Sequence, residues 1–192
     1  MTFKLTVTII AACVFSANAL AQAAAPSDLR ASNDLLELFT QVCMKNLGHP
    51  DGVQAWAASH TLASIQAPAA ITAYVGAGEG GAVWAAPSNS GLFALAIRAS
   101  TKACAVYAER ADPRPVEAEI AHLVDALRQR GSTVDVLKDD QTPSEFGRRH
   151  GLVYNVTSSR TVMVFTVITN ERSGGPYQAT VQVLASPRGG PR

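Results

Sequence analysis

ACAVYAERADPRPVEAEIAHLVDALRQRGSTVDVL, residues 103–137, decides the fold. Its hydrophobic period changes twice. Cys104, Val106 and Ala108 alternate, so they share one face of a strand. From about Pro115 to Arg130 the apolar positions are Val116, Ile120, Leu123, Val124 and Leu127, one stripe of a helix. Glu117, Glu119, His122, Asp125 and Arg128 fill the rest of that helix, and Gly131 ends it. Thr133 to Leu137 alternates again. A strand, a helix and a strand follow one another within 35 residues.

Upstream, Ala82–Ala85 and Leu92–Arg98 read as two more short strands, with Phe93, Leu95 and Ile97 on one face. Before them the chain is helical. Leu35, Leu36, Phe39, Val42, Cys43 and Leu47 make a stripe over Asn33–Leu47, with Ser32 as N-cap and Gly48 as the stop. A second helix over Val53–Leu62 carries Trp56 inward; Pro68 interrupts the next segment, and Gly76–Gly81 forms a loop.

Downstream, Leu152–Thr157, Thr161–Thr169 and Tyr177–Leu184 read as strands. Ser158-Ser159-Arg160 is a hairpin turn, and Glu171–Pro176 is another. Thr161–Thr169 is apolar or Thr on both faces, as a central strand requires. Lys138–Gly151 is polar and contains Pro143 and Gly147, so it reads as a long loop.

The order is α-α-β-β-β-α-β-β-β-β. Short connections favour antiparallel neighbours. The expected fold is α+β: a curved antiparallel sheet with the helices packed on one face. The expected organisation is one domain over residues 32–185, with disordered segments at 24–31 and 186–192.

The N-terminus carries an address. Lys4 is the sole charge before Asp28, an apolar run continues through Phe15, and small residues follow. This is the layout of a secretory signal peptide, residues 1–23, with cleavage after Ala21 or after Ala23. The apolar run is too short to span a bilayer, and no second segment of that kind follows. Ile10-Ala11-Ala12-Cys13 has the form of a lipobox. Few apolar residues precede Cys13, however, and the hydrophobic segment continues after it. Cleavage to a periplasmic or secreted chain is therefore the expectation, with lipidation at Cys13 as the alternative.

Loss of the signal leaves Cys43 and Cys104. An even pair on apolar faces in an oxidising compartment reads as one disulfide; two separate buried thiols are the alternative. Lys4 also leaves, so Lys plus Arg falls from 16 to 15, against 15 Asp plus Glu. A neutral chain lacks the basic footprint of nucleic-acid binding and the cluster that holds a protein to an anionic membrane.

No motif specifies catalysis. Gly76-x-Gly78-x-Gly80-Gly81 lacks the preceding strand and following helix of a phosphate-binding loop. His49, His60, His122 and His150 form no metal-ligand spacing. Asp139, Asp140 and Glu145 sit in the polar segment, where neighbouring acids ordinarily face water. Accordingly no catalytic, metal or cofactor residue is assigned. Arg148-Arg149-His150 is the one basic cluster. That cluster, with Glu79 of the glycine loop, is the candidate recognition surface, because binding residues favour loops on a rigid scaffold.

Phe39-x-x-x-Cys43, Trp84, Gly91-x-Phe93-x-Leu95 and Cys104-x-Val106 are spread over residues 35–127. In these the chain resembles a family of small exported proteins and lipoproteins of proteobacteria, first named from a neisserial locus. The resemblance implies export, a single domain and a Cys43–Cys104 pairing, and it implies no activity. The expected function is thus non-enzymatic: an accessory or inhibitor-like module that binds another envelope or extracellular protein. A small-molecule or lipid-binding domain with an apolar pocket beside Trp56 or Trp84, and a cell-envelope hydrolase, are the rivals.

Overall fold

A computed structural model describes residues 26–189. The expected signal peptide, its cleavage sites and Cys13 lie outside the described residues.

The chain first forms α1 (Pro26–Leu38), which runs on into a π-helical turn at Phe39–Met44. The Thr40 hydroxyl donates to the carbonyls of Leu36 (2.9 Å) and Glu37 (3.0 Å), competing with the regular ladder there. The wider turn leaves Phe39, Val42 and Cys43 fully buried. Residues 26–31, expected to be disordered, are instead the start of α1. The Asp28 carboxylate pairs with Arg110 at 3.0 Å, and its carbonyl accepts from the Asp112 N–H at 3.3 Å. Ser32 is not an N-cap either. It is buried within α1, with its hydroxyl donating to the carbonyls of Asp28 and Asp112.

Next come α2 (Pro50–Ser59), β1 (Ala63–Ser64) and α3 (Pro68–Val75). In both helices Pro opens the first turn, where its fixed φ and missing N–H suit the helix start. Pro68, expected to interrupt the chain, therefore begins a helix. The strands β2 (Gly81–Ala85), β3 (Phe93–Arg98) and β4 (Cys104–Ala108) follow. The Asp112 side chain caps α4 (Pro113–Gln129) by accepting from the Arg114 N–H at 3.1 Å. Last come β5 (Thr133–Ser144), β6 (Gly147–Thr157), β7 (Thr161–Asn170) and β8 (Ala179–Pro187). The segment from Ser186, expected to be disordered, is thus strand through Pro187.

The strands form one open antiparallel sheet, in the order β1-β2-β3-β4-β8-β7-β6-β5. The fold is α+β, with four helices and eight strands among the described residues. Helix α4 carries the chain from β4 to the far edge, and the last four strands return to pair β8 with β4. Strand β7 is interior, as its two-sided apolar pattern required. The expected loop at 138–151 is most of a long hairpin. Asp139 pairs with Leu152, Gln141 with His150 and Ser144 with Gly147, with a bulge between Val136 and Lys138. Most side chains of the edge strand β5 are exposed, Val134 at its start packing on the core, so the strand lacks the alternation that marks a half-buried one.

The main core lies between the sheet and α1, the π turn, α2 and α4. Phe39 meets Phe165 edge-on at 6.5 Å, and the Cys43–Cys104 disulfide (Cα–Cα 5.4 Å) staples the π turn to β4. Phe93, Leu95, Ile97, Cys104, Val106 and Ala108 all face this core. The three expected helical elements thus share one face, and α3, a helix not expected from the sequence, packs on the opposite face. There Val75, Ile71 and Tyr74 cover Val83, Ala94, Ala96, Ala105 and Tyr107. The alanines leave room for a helix to approach closely. Among the described residues no helix is long and apolar enough to cross a membrane.

Candidate functional site

The β5–β6 turn and the β7–β8 connection, residues 171–178, lie side by side at one end of the sheet. The Arg172 N–H donates to the Phe146 carbonyl (2.9 Å), and the Glu171 N–H to the Arg148 carbonyl (2.8 Å). The Arg148 N–H donates back to Glu171 Oε2 (3.1 Å), and Arg172 Nη2 to the Glu145 carbonyl (3.3 Å). Phe146 lays its ring on two glycines. A Cβ on Gly175 would stand 2.8 Å from Phe146 Cε2, so only glycine admits the ring there. Two hairpin ends thus become one tip that presents Arg148, Arg149 and Arg172, all exposed. Arg148 Nε lies 3.6 Å from Glu171 Oε2. The backbone hydrogen bond from Arg148, and then its charge, hold the Glu171 pKa below the usual carboxylate value. Arg149 and Arg172 have no ion pair among the described residues.

His150 belongs to the same strand but turns the other way, toward α4. Its Nδ1 lies 3.1 Å from Glu117 Oε2 and its Nε2 2.9 Å from Asp139 Oδ1. The Thr169 hydroxyl donates to the other Glu117 oxygen. One imidazole therefore bridges α4, β5 and β6, with β7 supporting Glu117. Burial works against a charge on the ring, but the hydrogen bonds to Asp139 and Glu117, and their charges, hold its pKa above the ordinary histidine value. Tyr154, next along this face, has its pKa raised by burial and then by Asp139, Asp125 and Glu117. Both ring nitrogens are engaged, so neither offers a lone pair to a substrate proton or a metal. The arrangement holds a proton and ties three elements together.

The candidate surface is accordingly divided. Arg148, Arg149 and His150 lie on β6, not on a loop, and only the two arginines point to solvent. Glu79 is elsewhere. It precedes β2, near the other edge of the sheet and at the opposite end of the strands, where its carboxylate accepts from Ser100 Oγ. The glycine loop follows a helix and precedes a strand, the reverse of a phosphate loop. Of the sequence acids and histidines, Asp139 and His150 come together; Asp140 pairs instead with Lys138 at 3.2 Å. His60 stacks on Trp56 at 4.0 Å, and His122 lies 3.9 Å from Glu119. Sequence reasoning missed Glu117, Phe146 and Arg172. A single aromatic within the polar segment was the one available signal, for Phe146.

An open recess of about 560 Å³ lies elsewhere, between α1 and the β2–β3 turn. Its lining is polar and includes Arg30, Asn33, Asp34 and Asn89, without either tryptophan. Asp34 Oδ2 accepts from Ser88 Oγ (2.8 Å) and Ser90 Oγ (2.6 Å), which holds the turn against α1. Trp56 and Trp84 are partly buried against the main core. Searches of protein-family models, curated proteins and solved structures found no match to this chain.

Proposed function

We propose that the chain is an exported, non-enzymatic interaction module that binds an acidic surface of another envelope or extracellular protein. Recognition falls to the tip that carries Arg148, Arg149 and Arg172. One observation carries this reading: the two hairpin ends are hydrogen-bonded to each other and seat Phe146 on Gly174 and Gly175, so the arginines stand on a rigid support. A preordered surface loses little conformational entropy on binding. Arginine also suits carboxylate partners, because its planar fork can bond two oxygens at once. Export is supported by the Cys43–Cys104 disulfide, a bond that persists in oxidising compartments.

The test is a photo-reactive residue at Glu145, incorporated in the producing cell, with the cross-linked protein then purified. Saturable binding of that partner, weakened by salt and about tenfold or more by Arg149→Glu with Arg172→Glu, would support the reading. Equal affinity of wild type and double variant would remove the tip from recognition. Intact mass of the exported chain reports the address: a start at Gln22 or Ala24 supports the proposed cleavage, and a lipidated Cys13 replaces it.

A further inference from the structure

We propose that two copies of this chain pair face to face through the outer surface of β6, β7 and β8, which no helix among the described residues covers. Met163, Phe165 and Val167 of β7 are buried toward the helices, so Val162, Val164, Thr166 and Ile168 point the other way. Leu184 stands opposite Val164, and Val153 opposite Thr166. These side chains are half-buried by one another, and among the described residues no helix lies above them as α3 does over β2 to β4. The remaining outward residues of β7 and β8 are Thr, Gln, Ser and Asn. None of the outward positions on those two strands is ionisable.

Charge begins at the rim. Asp135, Lys138 and Asp140 lie on the same face of β5, opposite Asn155, Val153 and Gly151. An uncharged centre inside a charged rim is the anatomy of a protein interface. Arg149 of β6, opposite Thr142 and Asn170, is on this face too, so the rim carries two acids, Asp135 and Asp140, and two bases, Lys138 and Arg149. A two-fold interface presents the same patch twice and therefore needs one that complements itself. A rim of mixed sign meets that need, whereas an anionic membrane would select a basic rim. With the proposed signal removed, 15 Lys plus Arg balance 15 Asp plus Glu, which leaves no long-range repulsion between copies.

The area suffices. With the β5 rim included, four strands spaced at about 4.8 Å, each about nine residues long, span roughly 570 Å² per copy and roughly 1,100 Å² for the pair. That exceeds the ~1,000 Å² expected of a specific interface. Two sheets stacked in this way would bury Val164 near the centre, with Leu184 beside it on β8.

The experiment is sedimentation velocity with light scattering on the disulfide-bonded protein over a wide dilution series. The expected result is a species of twice the monomer mass that dissociates on dilution. Val164→Lys and, separately, Gln182→Lys should each raise the dissociation constant by about a hundredfold, because either places an unpaired charge within the buried contact. Both sites face away from the core, so circular dichroism and the thermal midpoint should stay at wild-type values. The polar Gln182 site keeps the test available if Val164→Lys disturbs the sheet. Arg172→Glu, at the tip, should leave the dimer intact, which separates this inference from the tip reading. A wild-type monomer at every concentration overturns the proposal, as does a dimer that survives both lysines. A monomer that instead floats with anionic vesicles also overturns it.

Discussion

Raising the pH through the upper histidine range should weaken this fold through one residue. His150 is held between Glu117 at 3.1 Å and Asp139 at 2.9 Å, and its folded pKa lies above the ordinary value. A group whose pKa rises on folding binds its proton more tightly in the native state. Its stabilisation is therefore complete below the unfolded pKa of about 6.5 and is lost as pH rises through the folded value. The Glu117 contact is the stronger of the two. Its side chain is 24% exposed, and Thr169 fixes its other oxygen. A charge-assisted bond in such a place contributes about 1.5 kcal/mol or slightly more. Asp139 is 64% exposed, so its contact is worth a few tenths of a kcal/mol to about 1 kcal/mol. Together they give about 2 kcal/mol. Urea unfolding of wild type and His150→Gln at about pH 6 and about pH 9 measures this directly. The wild-type advantage should be about 2 kcal/mol at the lower pH and should shrink to below about 1 kcal/mol at the higher. An advantage that is equal at both pH values, or larger at the higher, would refute the clamp.

Three further perturbations probe the scaffold. Replacing both Cys43 and Cys104 by Ala frees a loop of sequence separation 61 and should cost about 4 kcal/mol by loop-closure entropy; calorimetry should then show the thermal midpoint about 10 °C lower. Phe39→Ala removes a fully buried ring and its edge contact with Phe165, for a loss of about 3–5 kcal/mol in chemical denaturation. Gly175→Ala drives a methyl against Phe146 and should loosen the tip alone. Hydrogen exchange at the Glu171 and Arg172 amides should quicken by about tenfold while the global unfolding free energy changes by less than about 1 kcal/mol.

How much of this was legible depended on burial. Where one face of an element meets the core, the period of the sequence is the period of the structure. The stripe of Val116, Ile120 and Val124 located α4 to within two residues, and the alternation of Cys104, Val106 and Ala108 gave the inner face of β4. The failures have separate causes. Strand β5 continues to Ser144 through Lys138, Asp139 and Asp140, held by backbone pairing to β6 that no side-chain pattern records. A single extra residue at the bulge after Val136 also breaks the alternation midway. Helix α3 was hidden because it is only eight residues long and almost wholly apolar, so no amphipathic stripe marks it, and it rests on a bed of alanines. Residues 26–31 are ordered by contacts with Arg110 and Asp112, which lie far along the chain.

The candidate site divided for a related reason. Arg148, Arg149 and His150 are consecutive, so on a loop they would act together; on a strand, neighbours must face opposite ways. The pleat sends His150 inward to Glu117 and Asp139 and leaves Arg149 on the outer face, while Glu171 engages Arg148. One change of local structure, from loop to strand, thus converts a uniform basic patch into two devices with different chemistry. The inner one responds to pH and resists salt, because its groups are partly desolvated. The outer one responds to salt and is indifferent to pH across the histidine range, because arginine keeps its proton throughout. Partner binding measured against both variables therefore separates them: a salt-dependent, pH-flat affinity assigns recognition to the arginine tip, and an affinity that falls between about pH 6 and about pH 9 assigns it to the surface that His150 holds in place.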